Sequence, residues 1–184
     1  MIASKFLIPV NEIKEETRVT FDNIEANDID LKVDNIEKFC SIRALVMINN
    51  SAIGITADFN VTFTAELKCG RCLTNFNKDF TVSLFLIYIH GKDPHTETEK
   101  VDLQTSEVER IYFSGTNIDL SIGLREAIVL SIPIAPVCDN ACKGLCPVCG
   151  TNRNKNKCKC KIKDESCFTP IPVKRQPRKK RREK

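Results

Sequence analysis

Eight of the ten cysteines in this 184-residue chain fall in four short pairs, and that spacing constrains the fold more than any other feature. The pairs are Cys69 and Cys72 in "KCGRCL", Cys138 and Cys142, Cys146 and Cys149 in "CPVCG", and Cys158 and Cys160 in "KCKC". Two thiolates separated by two residues grip one ion because the intervening turn aims backbone N–H groups at the sulfurs, and Gly150 suits the left-handed step that ends such a turn. The polar loop "TNRNKNK" at residues 151–157 then folds back toward Cys146 and Cys149, bringing Cys158 and Cys160 with it. A tetrahedral zinc site of Cys146, Cys149, Cys158 and Cys160 is expected.

Cys69, Cys72, Cys138 and Cys142 are expected to form a second all-cysteine site, clamping a hairpin tip to a later segment. Other pairings of the four duos remain chemically possible, so one or two structural zinc ions are expected. The rival reading of Cys69 and Cys72 is a thiol redox pair. That chemistry wants its first cysteine at a helix N-terminus, where the dipole lowers the thiol pKa, and here a β-hairpin follows. A plainer alternative is a buried pair of inert thiols. Of the two remaining cysteines, Cys40 reads as a small buried hydrophobe and Cys167 as a free thiol.

Disulfides are disfavoured because the opening "MIASKFLIPVNEIKEE" has no basic leader, long apolar block or cleavage site, so a cytoplasmic, reducing location is expected. The strongest apolar run, "LFLIYI" at residues 84–89, falls far short of the roughly 20 residues of a membrane span, so no membrane partner is expected. "IRALVMIN" (42–49), "IGITADFNVTFTAELKC" (53–69) and "FNKDFTVSLFLIYI" (76–89) are rich in β-branched and aromatic residues and read as strands of an antiparallel meander. Asn49, Asn50 and Ser51 supply a turn, "GRCLTN" links the second strand to the third, and "FLIPV" and "RVTFDNI" are further strand candidates. Another short strand is expected near Leu31.

Asp119 or Ser121 can cap a helix at about 119–131 that buries Leu120, Leu124, Ala127 and Ile128, with Pro133 and Pro136 beyond its end. The predicted fold is α+β. Residues 1–137 form a barrel-like antiparallel meander with one main helix, residues 138–163 a small zinc knuckle, and residues 164–184 a basic flexible tail.

Charge divides the chain sharply. Residues 1–142 carry 13 Lys/Arg and 21 Asp/Glu, a net −8, whereas residues 143–184 carry 15 and 3, a net +12. An acidic body with a cationic arm implies an anionic partner, nucleic acid being the commonest, although a solvated tail gives the same composition. Arg153, Lys155, Lys157, Lys159 and Lys161 would form a rigid cationic face on the knuckle loop. Lys174, Arg175, Arg178, Lys179, Lys180, Arg181 and Arg182 would form a flexible arm along a phosphate backbone. Phe168 is the only aromatic residue in this stretch, which argues against stacking on unpaired bases. Catalysis is poorly provisioned. The two histidines, His90 and His95, share a loop region, and neither a catalytic triad nor a Gly-rich phosphate loop is present, so no enzyme and no small-molecule substrate are expected.

"LKCGRCLTNF", "IDLSIGLREAIVLSIPIAPVC" and "CKGLCPVCGTNRNKNKCKC", taken in order, closely resemble the YceD family of large ribosomal RNA subunit accumulation proteins. Its C-x-R-C-L motif falls on Cys69, Arg71, Cys72 and Leu73. The C-terminal motif falls on Cys138, Cys142, Cys146, Cys149, Gly150, Asn152, Cys158 and Cys160. The resemblance implies a non-catalytic role in the synthesis, processing or stability of 23S ribosomal RNA, with ribosomal RNA or the pre-ribosomal large subunit as partner. The acidic body leaves a second possibility, an adaptor that docks a basic ribosomal protein or assembly factor.

Overall fold

The computed structural model describes residues 4–33, 36–93 and 109–160. Its framework is three long strands, β3 (Ile36–Ser51), β4 (Gly54–Lys68) and β5 (Asn75–His90), paired antiparallel in sequence order. Alternation explains β4. Ile55, Ala57, Phe59, Val61, Phe63, Ala65 and Leu67 all point to one face and are all buried, while the intervening polar residues face outward. The same face of the sheet takes Ile42, Ala44, Val46 and Ile48 from β3 and Leu86 and Tyr88 from β5. Phe63 and Phe80 are paired directly across β4 and β5 and stack with ring centroids 4.7 Å apart.

Around this core the chain adds β1 (Leu7–Pro9), β2 (Thr17–Phe21), β6 (Arg110–Phe113) and β7 (Asn117–Asp119). β2 extends the main sheet beside β3, β6 extends it beside β5, and β1 pairs with β7 in a separate two-stranded ribbon. The expected meander is present, but the main sheet remains open instead of curling into a barrel, and β6 runs parallel to β5. The turn expected at residues 49–51 forms two residues later, because β3 stays paired through Ser51 and the Ser51 hydroxyl donates to the Gly54 carbonyl at 2.9 Å. Near Leu31 the chain forms a short 3-10 turn (Ala26–Ile29) and no strand, although Leu31 itself is buried.

Cys40 is exposed, contrary to its reading as a buried hydrophobe. The pairing of β3 with β4 passes from Phe39 opposite Ala65 to Ser41 opposite Thr64, leaving Cys40 as the extra residue of a bulge with no partner across the sheet.

Among the described residues one α-helix, α1 (Leu120–Ser131), lies on the apolar face against β4 and β5 and meets the 3-10 turn that carries Ile29. Asp119 caps it, its carboxylate accepting the Ser121 N–H at 2.9 Å, and the helix ends before Ile132, which Pro133 holds in extended conformation. Tyr88 ties sheet to helix by donating its hydroxyl to the Asp119 carbonyl at 3.0 Å. Burial, reinforced by the charges of Asp119 and Glu126, pushes that hydroxyl's pKa well above its ordinary value. Among the described residues no helix is long and apolar enough to cross a membrane.

Gly123 lets α1 approach the sheet. A Cβ there would sit 2.4 Å from the Phe59 ring and 2.9 Å from Leu86. Gly123→Val should therefore destabilise the protein by about 1–2 kcal/mol, because overpacking of about 1–3 kcal/mol outweighs the few tenths gained in helix propensity. A lower urea midpoint at constant slope is the expected result. An unchanged midpoint would show that Phe59 and Leu86 yield.

Candidate metal centre

β4 ends at Lys68 and β5 begins at Asn75, so Cys69 and Cys72 lie in the turn joining two strands. The Cys69 N–H donates to the Thr74 carbonyl at 3.0 Å and the Leu73 N–H to the Cys69 carbonyl at 2.9 Å. Leu73 takes φ +56°, the left-handed step that lets the chain reverse under both sulfurs. Cys72 Sγ lies 3.0 Å from the Thr74 hydroxyl.

The same turn occurs again at Cys146. Its N–H donates to the Thr151 carbonyl at 2.9 Å, and the Gly150 N–H donates to the Cys146 carbonyl at 2.9 Å. Gly150 takes φ +70°, and Cys149 Sγ lies 3.2 Å from the Thr151 hydroxyl. "CGRCLT" and "CPVCGT" are thus two copies of one knuckle, C-x-x-C-x-T, with a left-handed residue in the fifth position.

The first knuckle meets the chain leaving α1. Gly70 N–H donates to the Pro136 carbonyl at 2.8 Å, Cys138 N–H lies 3.4 Å from Cys69 Sγ, and the Arg71 guanidinium donates to the carbonyls of Asn140 and Cys142 at 3.4 and 3.3 Å. Four sulfurs converge there. Cys69 and Cys142 Sγ are 3.9 Å apart, Cys72 and Cys138 Sγ are 3.7 Å apart, and all four lie within 4.8 Å of one another. A disulfide would need about 2.05 Å. A tetrahedral thiolate site with arms of about 2.3 Å has edges of about 3.8 Å, which these two separations match. Cys69, Cys72 and Cys142 are buried, while Cys138 sits at the rim.

Cys146, Cys149, Cys158 and Cys160 form the second group, again with sulfurs within 4.8 Å of one another. It is more open. Cys146 is buried, Cys149 exposed, and Cys158 and Cys160 lie between. Each group offers four soft donors around one centre and can hold one metal ion.

Within each group the thiols differ in acidity. Burial opposes ionisation of Cys69, but the N–H groups of Cys72, Cys138 and Arg71 outweigh it and bring its pKa down to about 6. The Thr74 hydroxyl lowers Cys72, and burial followed by the neighbouring sulfurs pushes Cys138 up to about 12. In the second group the Thr151 hydroxyl and N–H bring Cys149 down to about 6, while the N–H groups of Cys149 and Val148 lower Cys146. Cys146 raises Cys158, and Cys149 together with burial pushes Cys160 up to about 12. The knuckle cysteines are the acidic members because their turns supply the N–H and hydroxyl donors. Cys138, Cys158 and Cys160 hold their protons more tightly until a cation offsets the crowding of negative charge.

Arg153, Lys155, Lys157 and Lys159 are exposed on and beside the loop of the second group. Lys161, Lys174, Arg175, Arg178, Lys179, Lys180, Arg181 and Arg182 lie outside the described residues, as do Cys167, His95 and the tail at 164–184. Three side chains that touch the sulfurs were missed by sequence reasoning: Thr74, Thr151 and Asn154. The threonines had a legible signal, since both follow a C-x-x-C at the same offset. Asn154 had none, because it reaches Cys142 of the other group.

An open, mostly antiparallel sheet with one helix, held at one end by two four-cysteine groups, defines a small β-domain built around candidate thiolate–metal sites. The chain belongs to the YceD family, described as large ribosomal RNA subunit accumulation protein YceD, whose model matches residues 57–171. Uncharacterized proteins of Mycobacterium bovis and Mycobacterium tuberculosis are 28% identical to it over 123 residues, covering 67% of this chain and 49% of theirs. An uncharacterized protein of Mycobacterium leprae is 34% identical over 92 residues, covering 50% of this chain and 40% of its own. The chain thus spans about half the length of these relatives or less. No solved structure matches it.

Native mass compared with denatured mass should count two metal ions in the full chain and one in Cys69→Ser/Cys72→Ser. A count unchanged by that double substitution would dissolve the first group as a site. In metal-depleted protein at pH 7, Cys149 is mostly thiolate and Cys160 is not, so iodoacetamide should label Cys149 first. Lowering the pH to 5, below the Cys149 pKa of about 6, should slow its labelling about tenfold as thiolate is lost. Equal labelling of Cys149 and Cys160 would contradict the assigned acidities.

Proposed function

We propose that this protein is a non-catalytic ribosome-biogenesis factor that supports the synthesis, processing or stability of 23S ribosomal RNA. It binds ribosomal RNA or pre-ribosomal particles through a basic C-terminal region organised by structural zinc. The observation that carries this reading is the alternation of Arg153, Lys155, Lys157 and Lys159, all exposed, along chain fastened by the second cysteine group. Such a face contacts phosphates at fixed spacing and carries affinity with little base preference. Membership of a family described by large ribosomal RNA subunit accumulation supports the choice of RNA.

Zinc is the favoured ion because four thiolates in a tetrahedral arrangement suit it, and four protein ligands leave no open position for water or substrate. That favours a structural role. The one described histidine near a cavity, His90, borders a 730 Å³ cleft with Asn11, Asn50, Asn117, Ile55 and Tyr88, neighbours that supply amides, a phenol and aliphatic surface instead of an acid–base partner. Redox chemistry at Cys69 and Cys72 is disfavoured by the approach of Cys138 and Cys142 to the same two sulfurs.

Replacing Arg153, Lys155, Lys157 and Lys159 with glutamine should weaken binding to transcribed 23S ribosomal RNA and flatten its dependence on salt. The logarithmic slope should fall by up to about 3.6, since each lost phosphate contact removes roughly 0.7 to 0.9. Unchanged affinity and slope would remove this face from the RNA interface. They would favour instead the adaptor reading, for which the exposed Ile122, Val129, Leu130 and Ile134 offer apolar surface.

A further inference from the structure

The loop between Cys149 and Cys158 belongs to the second cysteine group by its ends and to the first by its middle. Asn154 is the contact. Its Nδ2 donates to Cys142 Sγ at 3.2 Å, its Oδ1 accepts the Lys143 N–H at 2.8 Å, and its own N–H donates to Asn152 Oδ1 at 2.9 Å. Asn152 donates from Nδ2 to the Thr74 hydroxyl at 3.3 Å, and that hydroxyl lies 3.0 Å from Cys72 Sγ. Two sulfurs of the first group, one from the hairpin tip and one from the segment after α1, are therefore reached from a loop whose two ends are cysteines of the second. The backbone reinforces the junction, with Arg153 N–H donating to the Gly144 carbonyl at 2.9 Å and Leu145 N–H to the Arg71 carbonyl at 3.0 Å.

We infer that the two cysteine groups are coupled metal sites, each raising the affinity of the other, and that Asn154 is the positioning residue that transmits the coupling. The inference rests on the metal-binding reading of both groups. With the second site filled, one ion holds Cys149 and Cys158 together and the intervening loop is closed. Asn154 is then delivered to Cys142 without further ordering. With that site empty the loop keeps its backbone bonds as far as Arg153 but loses its anchor at Cys158, so Asn154 lies at the edge of the fastened stretch and seating it requires ordering that the ion had supplied. A hydrogen bond to a metal-bound thiolate orients the sulfur and favours its charged form, and loss of such an outer partner typically costs 10- to 100-fold in metal affinity. Linkage makes the effect reciprocal, so filling the first site must favour the second by the same factor.

Asn154 also holds its turn through Lys143, a purely structural contact that a coupling test must leave in place. Asn154→Asp keeps an oxygen for the Lys143 N–H and removes the donor to Cys142.

The experiment loads the full chain with cobalt(II), whose tetrahedral thiolate sites absorb in the visible, and measures each site's affinity by chelator competition. Cys69→Ser/Cys72→Ser disables the first site and Cys158→Ser/Cys160→Ser the second. Disabling either site should lower cobalt affinity at the other by the same factor, about 10- to 100-fold. In the Asn154→Asp background that mutual loss should shrink to within twofold. Affinities in the otherwise unsubstituted chain that do not respond to disabling the other site would overturn the coupling while leaving two metal sites standing, and this comparison needs no change at Asn154. Coupling that persists undiminished in Asn154→Asp would remove Asn154 from it. A chain that binds no cobalt at all would overturn the metal reading and the coupling together.

Discussion

Convergence of Cys69, Cys72, Cys138 and Cys142 is the interaction on which the far end of this structure depends. β4 and β5 carry the hairpin tip beyond the reach of α1, and the hydrophobic cluster there consists of Cys69, Cys72 and Cys142 with only Phe76 and Val137 packed against it. So few apolar groups hold a chain segment weakly. A structural zinc site contributes roughly 10–16 kcal/mol of apparent binding free energy in small peptides, far more than the roughly 1.5–3 kcal/mol of one buried aliphatic side chain. An ion bound at this point would take the place of a core, fastening residues 136–142 to the sheet and giving the chain from Lys143 to Cys160 a fixed mounting.

The two knuckles share a local fold and differ in surroundings. Around the first, the hairpin and the Pro136 to Cys142 segment bury three of four sulfurs, which suits a clamp. Around the second, cationic side chains surround a half-open cluster. Four thiolates with one divalent ion would carry a formal charge of −2, which Arg153, Lys155, Lys157 and Lys159 would outweigh. The mixed acidities fit this picture. Each knuckle supplies its own N–H and hydroxyl donors and so holds thiolates readily, whereas Cys138 and Cys160, with pKa values of about 12, take on negative charge only beside a cation.

Much of the architecture is legible in local pattern. The alternation of Ile55, Ala57, Phe59, Val61, Phe63 and Ala65 marks β4 and its buried face, and Asp119 and Pro133 bracket α1. What local pattern does not carry is pairing between distant segments. Nothing near Arg110–Phe113 announces a strand parallel to β5, and nothing near Cys40 announces that the ladder skips it. Cysteine spacing behaves in the same way. It identifies four duos because each is a turn of fixed length, but it leaves three ways to combine them into two sites, and the hairpin tip's contact with the chain after α1 selects one. Leu73 shows the remaining difficulty. The left-handed step of the second knuckle is announced by Gly150, whereas the equivalent step of the first is taken by a leucine, which single-residue propensity would not place there.

These constraints bear on how a cationic face can be used. A flexible basic segment can neutralise phosphates, but it must be ordered each time it does so, and that entropy is subtracted from affinity. Here Arg153 follows Asn152, which pairs with Leu145 across a short bridge, and Leu145 is bonded to Arg71 at the hairpin tip. The route from Arg153 to the hairpin tip of the main sheet thus runs through bonded backbone. Under the proposed role, the ordering has been completed by folding and metal binding before any RNA arrives, and the counterions released on contact translate into affinity with little offset.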